Sequence, residues 1–231
     1  MAKTKVRPSP ASSAPSAPPS LNWPAIPSPP APLRLAPLSD GILIVDSFFS
    51  PSTRNHFLTF LQSPAIKLSP PVAPKRGEAA RTNDRFSIQD VRFAQRLWED
   101  SGLRQACEDG LQGGRNGKKA VGLNSNIRLY RYVEGSYFGP HYDDDFHDPL
   151  TGATSEWTLL IYLTGIEDGV VGGETAFYPN TSKKGNGPAI VAELKAGRAL
   201  LHRHGQLCAL HEGRLVEKGV KWVLRSDVMF R

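Results

Sequence analysis

The chain is poor in cysteine. Of its 231 residues two are Cys, Cys107 and Cys208, far apart and in no CxxC arrangement. That excludes a disulfide framework and a cysteine zinc site, and two reduced, partly buried thiols suit a cytosolic or nuclear compartment. Long apolar runs are lacking too: none approaches the roughly twenty residues that a membrane helix needs. Lys3, Lys5 and Arg7 are followed by no apolar core of the kind a secretory signal carries. A transit peptide is harder to set aside, because the start is basic and Ser-rich, although its prolines oppose an amphipathic helix. Acid is missing from residues 1–38, where Lys3, Lys5, Arg7 and Arg34 supply four of the six net positive charges. The basic balance is thus mostly a property of the tail and is weak grounds for a nucleic-acid surface on the remainder.

Those first 38 residues hold eleven of the twenty prolines. Proline at that density removes backbone donors and blocks helix and sheet alike, so residues 1–38 read as a disordered or polyproline-like Pro/Ala/Ser tail, with Trp23 and Ile26 docking locally. The folded domain is expected over 39–231. Gly41–Val45 has the length and character of a strand. Ser50 is a plausible N-cap for a helix opening at Pro51, with Phe57, Phe60 and Leu61 on its buried face. Val91–Glu108 reads as a second helix and Gly110–Lys119 as a loop. Beyond Asn124 the pattern turns to strands: Ile127–Tyr132 alternates with period two, Trp157–Thr164 is a fuller apolar run, and Ala189–Leu194, Ala199–His202 and Lys221–Arg225 follow. Helices followed by many short strands predict an α+β fold whose β part is a sandwich or barrel.

The chemistry-bearing feature is His141-Tyr142-Asp143. On a strand, residues i and i+2 face the same way, so one imidazole and one carboxylate can aim at one point. With a second histidine they would form the two-histidine, one-carboxylate face that holds Fe(II) and leaves three positions open. The HxD pair alone is a weak signal. Candidates for the further histidine are His147, His202, His204 and His211; His56 lies in the N-terminal helix. His147 is very close to the pair, whereas His211 lies ten residues before Lys221.

From Tyr130 to Arg231 the chain resembles the catalytic domain of the prolyl 4-hydroxylase-like 2-oxoglutarate/Fe(II)-dependent dioxygenases. The pieces that carry the resemblance run in the family's order: Tyr132-x-x-Gly135, Pro140-His141-Tyr142-Asp143, Thr158–Leu163, Gly172-Gly173-Glu174-Thr175, Gly197-x-Ala199-Leu200-Leu201, His211-x-Gly213 and Gly219-x-Lys221-Trp222. The resemblance implies a double-stranded β-helix (jelly-roll) core over about 124–231, flanked by N-terminal helices. It implies His141, Asp143 and His211 as iron ligands and Lys221 as the partner of the distal carboxylate of 2-oxoglutarate. Tyr132 and Thr175 match positions that hydrogen-bond the same cosubstrate. It further implies Fe(II), 2-oxoglutarate, O2 and L-ascorbate as cofactors, and hydroxylation of an unactivated C–H bond, first of all in a prolyl residue of a protein or peptide.

The sequence departs from that pattern in places. Phe138 stands where collagen-type members often have Tyr, and Asp227 where they often have a second Trp. Arg225 shares the strand face of Lys221 and could share or replace its carboxylate contact. Arg81-x-Asn83-x-Arg85 reads as a polar loop that could approach a substrate. The other readings are a same-superfamily oxygenase acting on a small molecule or methylated nucleic acid, a non-catalytic jelly-roll binding module, and a cupin. The Arg-rich signature and basic surface expected of a nucleic-acid demethylase are not evident, and no membrane partner is expected.

Overall fold

A computed structural model describes residues 21–111, 114, 117–178, 181–182, 185–186 and 188–231. The first twenty residues of the Pro-rich tail, and part of the expected 110–119 loop, lie outside the described residues. The strands are β1 (Ala36–Ser39), β2 (Ile42–Val45), β3 (Asp84–Gln89), β4 (Ala120–Leu123), β5 (Asn126–Tyr132), β6 (Phe138–His141), β7 (Thr154–Tyr162), β8 (Val171–Gly172), β9 (Thr175–Tyr178), β10 (Thr181–Ser182), β11 (Gly185–Asn186), β12 (Ile190–Ala192), β13 (Ala199–Arg203), β14 (Leu210–Gly213), β15 (Val216–Lys218) and β16 (Lys221–Phe230). The helices are α1 (Pro51–Leu61), α2 (Val91–Glu99) and α3 (Leu103–Gly110).

The larger sheet runs β1-β2-β13-β7-β16-β5-β3, with β4 also on β16; the smaller runs β12-β9-β14-β6. All of these pairings are antiparallel. The architecture is the jelly-roll that the sequence predicts, with helices on one flank. Period two sorts the central strands. Leu159, Ile161, Leu201 and Leu224 join Phe57, Phe93 and Leu97 of the helices in one core. Tyr130, Tyr162, Leu200 and Val223 form a second core with Phe177 and Ala192 of the smaller sheet. Because both faces of the larger sheet are covered, β7 and β16 are buried along almost their whole length.

Ser50 does cap α1, accepting the Thr53 amide at 3.1 Å, and Phe57 and Leu61 are buried. The expected helix over 91–108 is instead two. Gly102 between them has φ +78°, and a Cβ there would lie 2.9 Å from Pro29 Cγ, so glycine is needed where the N-terminal segment crosses the turn. The polar stretch at 84–89 is a strand, β3, on the edge beside β5.

The expected boundary at residue 39 is corrected for the residues described. Trp23 stacks on Phe93 at 4.0 Å and donates its indole N–H to Asp90 at 2.9 Å. Asp90 is also the N-cap of α2. Arg96 donates to the Pro24 carbonyl, Ile26 is buried, and β1 begins at Ala36. Proline forbids regular ladders but not apolar docking, and residues 21–38 pack as a strap over α2 and α3. No helix among the described residues is long and apolar enough to cross a membrane.

Candidate metal centre and adjoining pocket

The smaller sheet sets two imidazoles side by side. β6 and β14 pair with His141 opposite His211, and the rings lie 4.2 Å apart. His141 Nδ1 lies 2.9 Å from the Gly139 carbonyl and His211 Nδ1 lies 3.0 Å from that of Ala209. A carbonyl only accepts, so each Nδ1 carries the proton and each Nε2 offers a lone pair. Burial, with His211 beside it, pushes the His141 pKa down to about 4, and burial lowers that of His211 as well. Both are neutral donors at physiological pH.

Asp143 sits beyond the end of β6, so the strand argument for it needs correction. Its position comes from the β13–β14 connection: its amide donates to Cys208 Sγ at 3.2 Å and its carbonyl accepts from Gly205 at 2.8 Å. The result is what the i, i+2 geometry predicts. His141 Nε2 is 3.7 Å from Asp143 Oδ1, and His211 Nε2 is 3.7 Å from Oδ2. One donor atom of each of the three residues lies within 4.8 Å of the others.

Each oxygen of Asp143 also takes a donor. Arg225 Nη1 reaches Oδ1 at 3.0 Å and the Thr158 hydroxyl reaches Oδ2 at 2.9 Å. His204 donates from Nδ1 to Thr158 at 3.0 Å and accepts from Ser155 at 2.9 Å. Burial alone would raise the Asp143 pKa, but the Arg225 guanidinium, helped by the surrounding imidazoles, holds it well below the usual carboxylate range. Two neutral imidazoles and a fixed carboxylate with lone pairs converging on one point suit a divalent ion such as Fe(II).

The same pocket takes in Tyr132, Thr175, Lys221 and Arg225. Lys221, directly across from Tyr132 in the β16–β5 ladder, is 3 % exposed. Its Nζ donates to the Gly173 carbonyl at 2.7 Å and lies 4.9 Å and 5.6 Å from the ring centres of Tyr132 and Tyr162. No carboxylate among the described residues forms an ion pair with it. Burial pushes its pKa down to about 8, with Glu174 opposing. Thr175 Oγ1 is 2.7 Å from the Tyr162 hydroxyl. Gly172 and Gly173 both have φ near +73°, and a Cβ on Gly172 would meet the Leu215 carbonyl oxygen at 2.3 Å, so the paired glycines let β8 and β9 pass close to the site.

The structure thus brings every predicted site residue to one pocket, but it engages Arg225 elsewhere. Arg225 lies between Asp143 and Asp227, and Asp227 also accepts from Arg128. Arg81 and Arg85 sit over the rings of Phe138 and Tyr130, and Phe138 stacks on His141 at 3.6 Å. Sequence reasoning missed Thr158, Tyr162 and Tyr130, and it considered His202 only as a rival to His211. Alternation places 158, 160 and 162, like 200 and 202, on the inward face, but burial on both faces hides that alternation in the sequence of β7 and β13.

Residues 127–226 match the family model of the 2OG-Fe(II) oxygenase superfamily. Among solved structures, the chain is 18 % identical to a prolyl-4-hydroxylase from Pseudomonas putida, covering 83 % of this chain and 93 % of that one with a TM-score of 0.59. It is also 18 % identical to the viral collagen prolyl hydroxylase of Paramecium Bursaria Chlorella virus-1 in its 2OG complex, over 82 % and 96 %, TM-score 0.54. A prolyl hydroxylase from Trichoplax adhaerens, in complex with a hypoxia inducible factor oxygen degradation domain peptide fragment, is 19 % identical over 82 % and 85 %, TM-score 0.54. At these identities the likeness is one of fold. No curated protein sequence matches the chain.

Proposed function

We propose, from the match of residues 127–226 to the family model of the 2OG-Fe(II) oxygenase superfamily, that this chain is a 2-oxoglutarate- and Fe(II)-dependent dioxygenase hydroxylating a prolyl residue of a protein or peptide. The observation that carries the reading is the pairing, in one pocket, of a three-donor metal face with a buried cation that lacks a carboxylate partner among the described residues.

His141, Asp143 and His211 would hold the iron. When bound, Fe(II) with 2-oxoglutarate and O2 supplies the oxidising power that turns a C–H into a C–OH, the keto acid leaving as succinate and CO2. The chain's residues supply position. Lys221 pairs with the distal carboxylate of 2-oxoglutarate, and Tyr132 and Thr175 offer hydroxyls to it. Arg225 and Thr158 keep the Asp143 carboxylate ionised and fixed in rotation. Leu160, Val223 and Tyr130 line the pocket and limit water.

The prolyl substrate is supported by the fold of the relatives named as prolyl hydroxylases, and the peptide class by the one that carries a peptide. The free cysteines support a cytoplasmic or nuclear setting. L-ascorbate completes the proposed cofactor set by analogy. The test is anaerobic loading with Fe(II) and 2-oxoglutarate, admission of O2, and measurement of succinate and of the mass of proline-containing peptides. Succinate release that rises with peptide, a +16 Da product, and loss of both in His141→Ala are expected. Equal succinate from wild type and His141→Ala would defeat the iron assignment. Succinate without peptide oxidation would redirect the search to a non-prolyl substrate.

A further inference from the structure

The motif Arg81-x-Asn83-x-Arg85 is not used by the reading above. Arg85 lies in β3 across from Tyr130 of β5. Its amide and carbonyl exchange hydrogen bonds with Ser69, which ties the Pro-rich loop to β3. Arg81 bridges Phe138 on the edge of β6 that does not pair with β14. The two guanidiniums stand 5.1 Å and 6.0 Å from the ring centres of Phe138 and Tyr130. Both rings line the metal pocket, so each cation is one ring away from it.

With Lys67 the two arginines line a groove of about 410 Å3 that no carboxylate lines. Asp84, between the arginines in sequence, turns to Arg131 instead. None of the three cations forms an ion pair with a described carboxylate. Arg81 is half-buried, and burial, then the neighbouring Arg85, lowers its pKa. A guanidinium stays charged all the same. Two repelling cations are thus held beside the site with no counter-ion of their own, and an arriving anion would relieve the repulsion.

The groove on the other edge of β6 has the opposite sign. It shares Gly213 with the metal pocket and holds Glu174, Glu212 and Glu217 against Arg214. A nucleic-acid strand crossing both grooves would bring phosphates to three carboxylates, whereas a peptide needs one acidic side chain in the right place.

We propose that the groove of Lys67, Arg81 and Arg85 is a subsite for an acidic side chain of the peptide that is hydroxylated; this rests on the peptide reading above. Contacts of 5.1 Å and 3.6 Å between ring centres and cation link Arg81 through Phe138 to His141, a span of about two or three extended residues. The substrate therefore carries Asp or Glu two or three positions from the residue that is oxidised, paired with a guanidinium fork.

The test uses the full chain with Fe(II) and 2-oxoglutarate, first without oxygen. Labelled peptides of Ala and Ser around one central proline carry Asp or Asn at each position in turn, and binding is read by fluorescence anisotropy. Asp two or three residues from the proline, on one side only, is expected to tighten binding about tenfold over Asn, a gain that shrinks with added salt. Arg85→Gln removes most of that gain; Arg81→Gln does the same and serves if the first variant does not fold. Arg85→Glu is expected to turn the preference from Asp to Lys. Asp peptides that bind no better than Asn peptides at every position overturn the proposal, as does a preference that both Gln variants keep. A single-stranded DNA oligonucleotide that outbinds the Asp peptides and weakens in the same variants overturns it in favour of a nucleic acid. Oxygen is then admitted. Asp-dependent binding with neither succinate nor a +16 Da product upholds the groove and defeats the prolyl reading. Proline hydroxylation indifferent to the acid defeats the groove and leaves that reading intact.

Discussion

Lys221 and Arg225 stand four residues apart on the inner face of β16, both buried, and their surroundings are opposite. Arg225 bridges Asp143 and Asp227. Lys221 meets a carbonyl and two aromatic rings and forms no ion pair with a described carboxylate. The chemistry of each side chain fits its place. A guanidinium stays charged and its fork serves two carboxylates at once, whereas an ammonium is a point charge whose pKa yields to burial. Arg225 is therefore a structural cation whose anions are built in, and in the proposed function Lys221 is the cation whose anion arrives with the cosubstrate.

The largest break in that comparison should come from Arg225→Met. It leaves Asp143 buried with its main counter-charge gone, while Asp227 keeps Arg128, so a loss of about 3–5 kcal/mol in unfolding free energy is expected from urea titration. A loss below about 1 kcal/mol would mean that Arg225 is not the structural member. Lys221→Met should do the reverse. Removing a desolvated cation leaves stability nearly unchanged, while half-saturation by 2-oxoglutarate in the succinate assay rises about tenfold to a hundredfold, equal to about 1.4–2.8 kcal/mol. Unchanged dependence on 2-oxoglutarate would move the carboxylate contact to Arg225.

Proton linkage sharpens the contrast. The pKa of Lys221 is about 8 when folded and about 10.4 when unfolded. Between those values the unfolded chain binds more protons, so the wild type gains stability relative to Lys221→Met as pH rises through that window. Affinity for 2-oxoglutarate moves the other way and falls above pH 8, because the neutral amine attracts no carboxylate. Matching pH profiles of wild type and variant would refute the assignment. The smallest effect belongs to Thr175→Val, which removes the hydrogen bond with Tyr162: about 1 kcal/mol, read as a few-fold rise in 2-oxoglutarate half-saturation.

Legibility in the sequence followed burial. The HxD pair and Lys221 could be read because rare residue types at fixed spacing stand out, and the ordered glycine-bearing motifs carried the resemblance that implied His211 and the jelly-roll. Thr158, Tyr162 and His202 were hidden by the double covering of the larger sheet. With helices on one face and the second sheet on the other, β7 and β13 read as continuous apolar runs, and the alternation that separates the site face from the helix face is masked. The α2–α3 break was missed because Gly102 is required by Pro29, a contact far away in sequence. Trp23 and Ile26 dock as the sequence suggests, but the extent of the strap over 27–38 was not legible, because composition describes what a backbone cannot do alone and not what it can pack against.

The pairing of β2 with β13 sets the order in which the molecule can be completed. Ile42–Val45 is made early in synthesis, yet its sheet partner opposite β1, from Ala199 to His202, comes near the end of the chain. Until then an apolar strand with an open edge waits, and closing it spans more than half the chain. Such non-local pairing places folding in the millisecond-to-second range and leaves an aggregation-prone segment on the ribosome throughout. The hairpin of β1 and β2, rather than the catalytic centre, is therefore the part of this protein most exposed to chaperones and to misassembly.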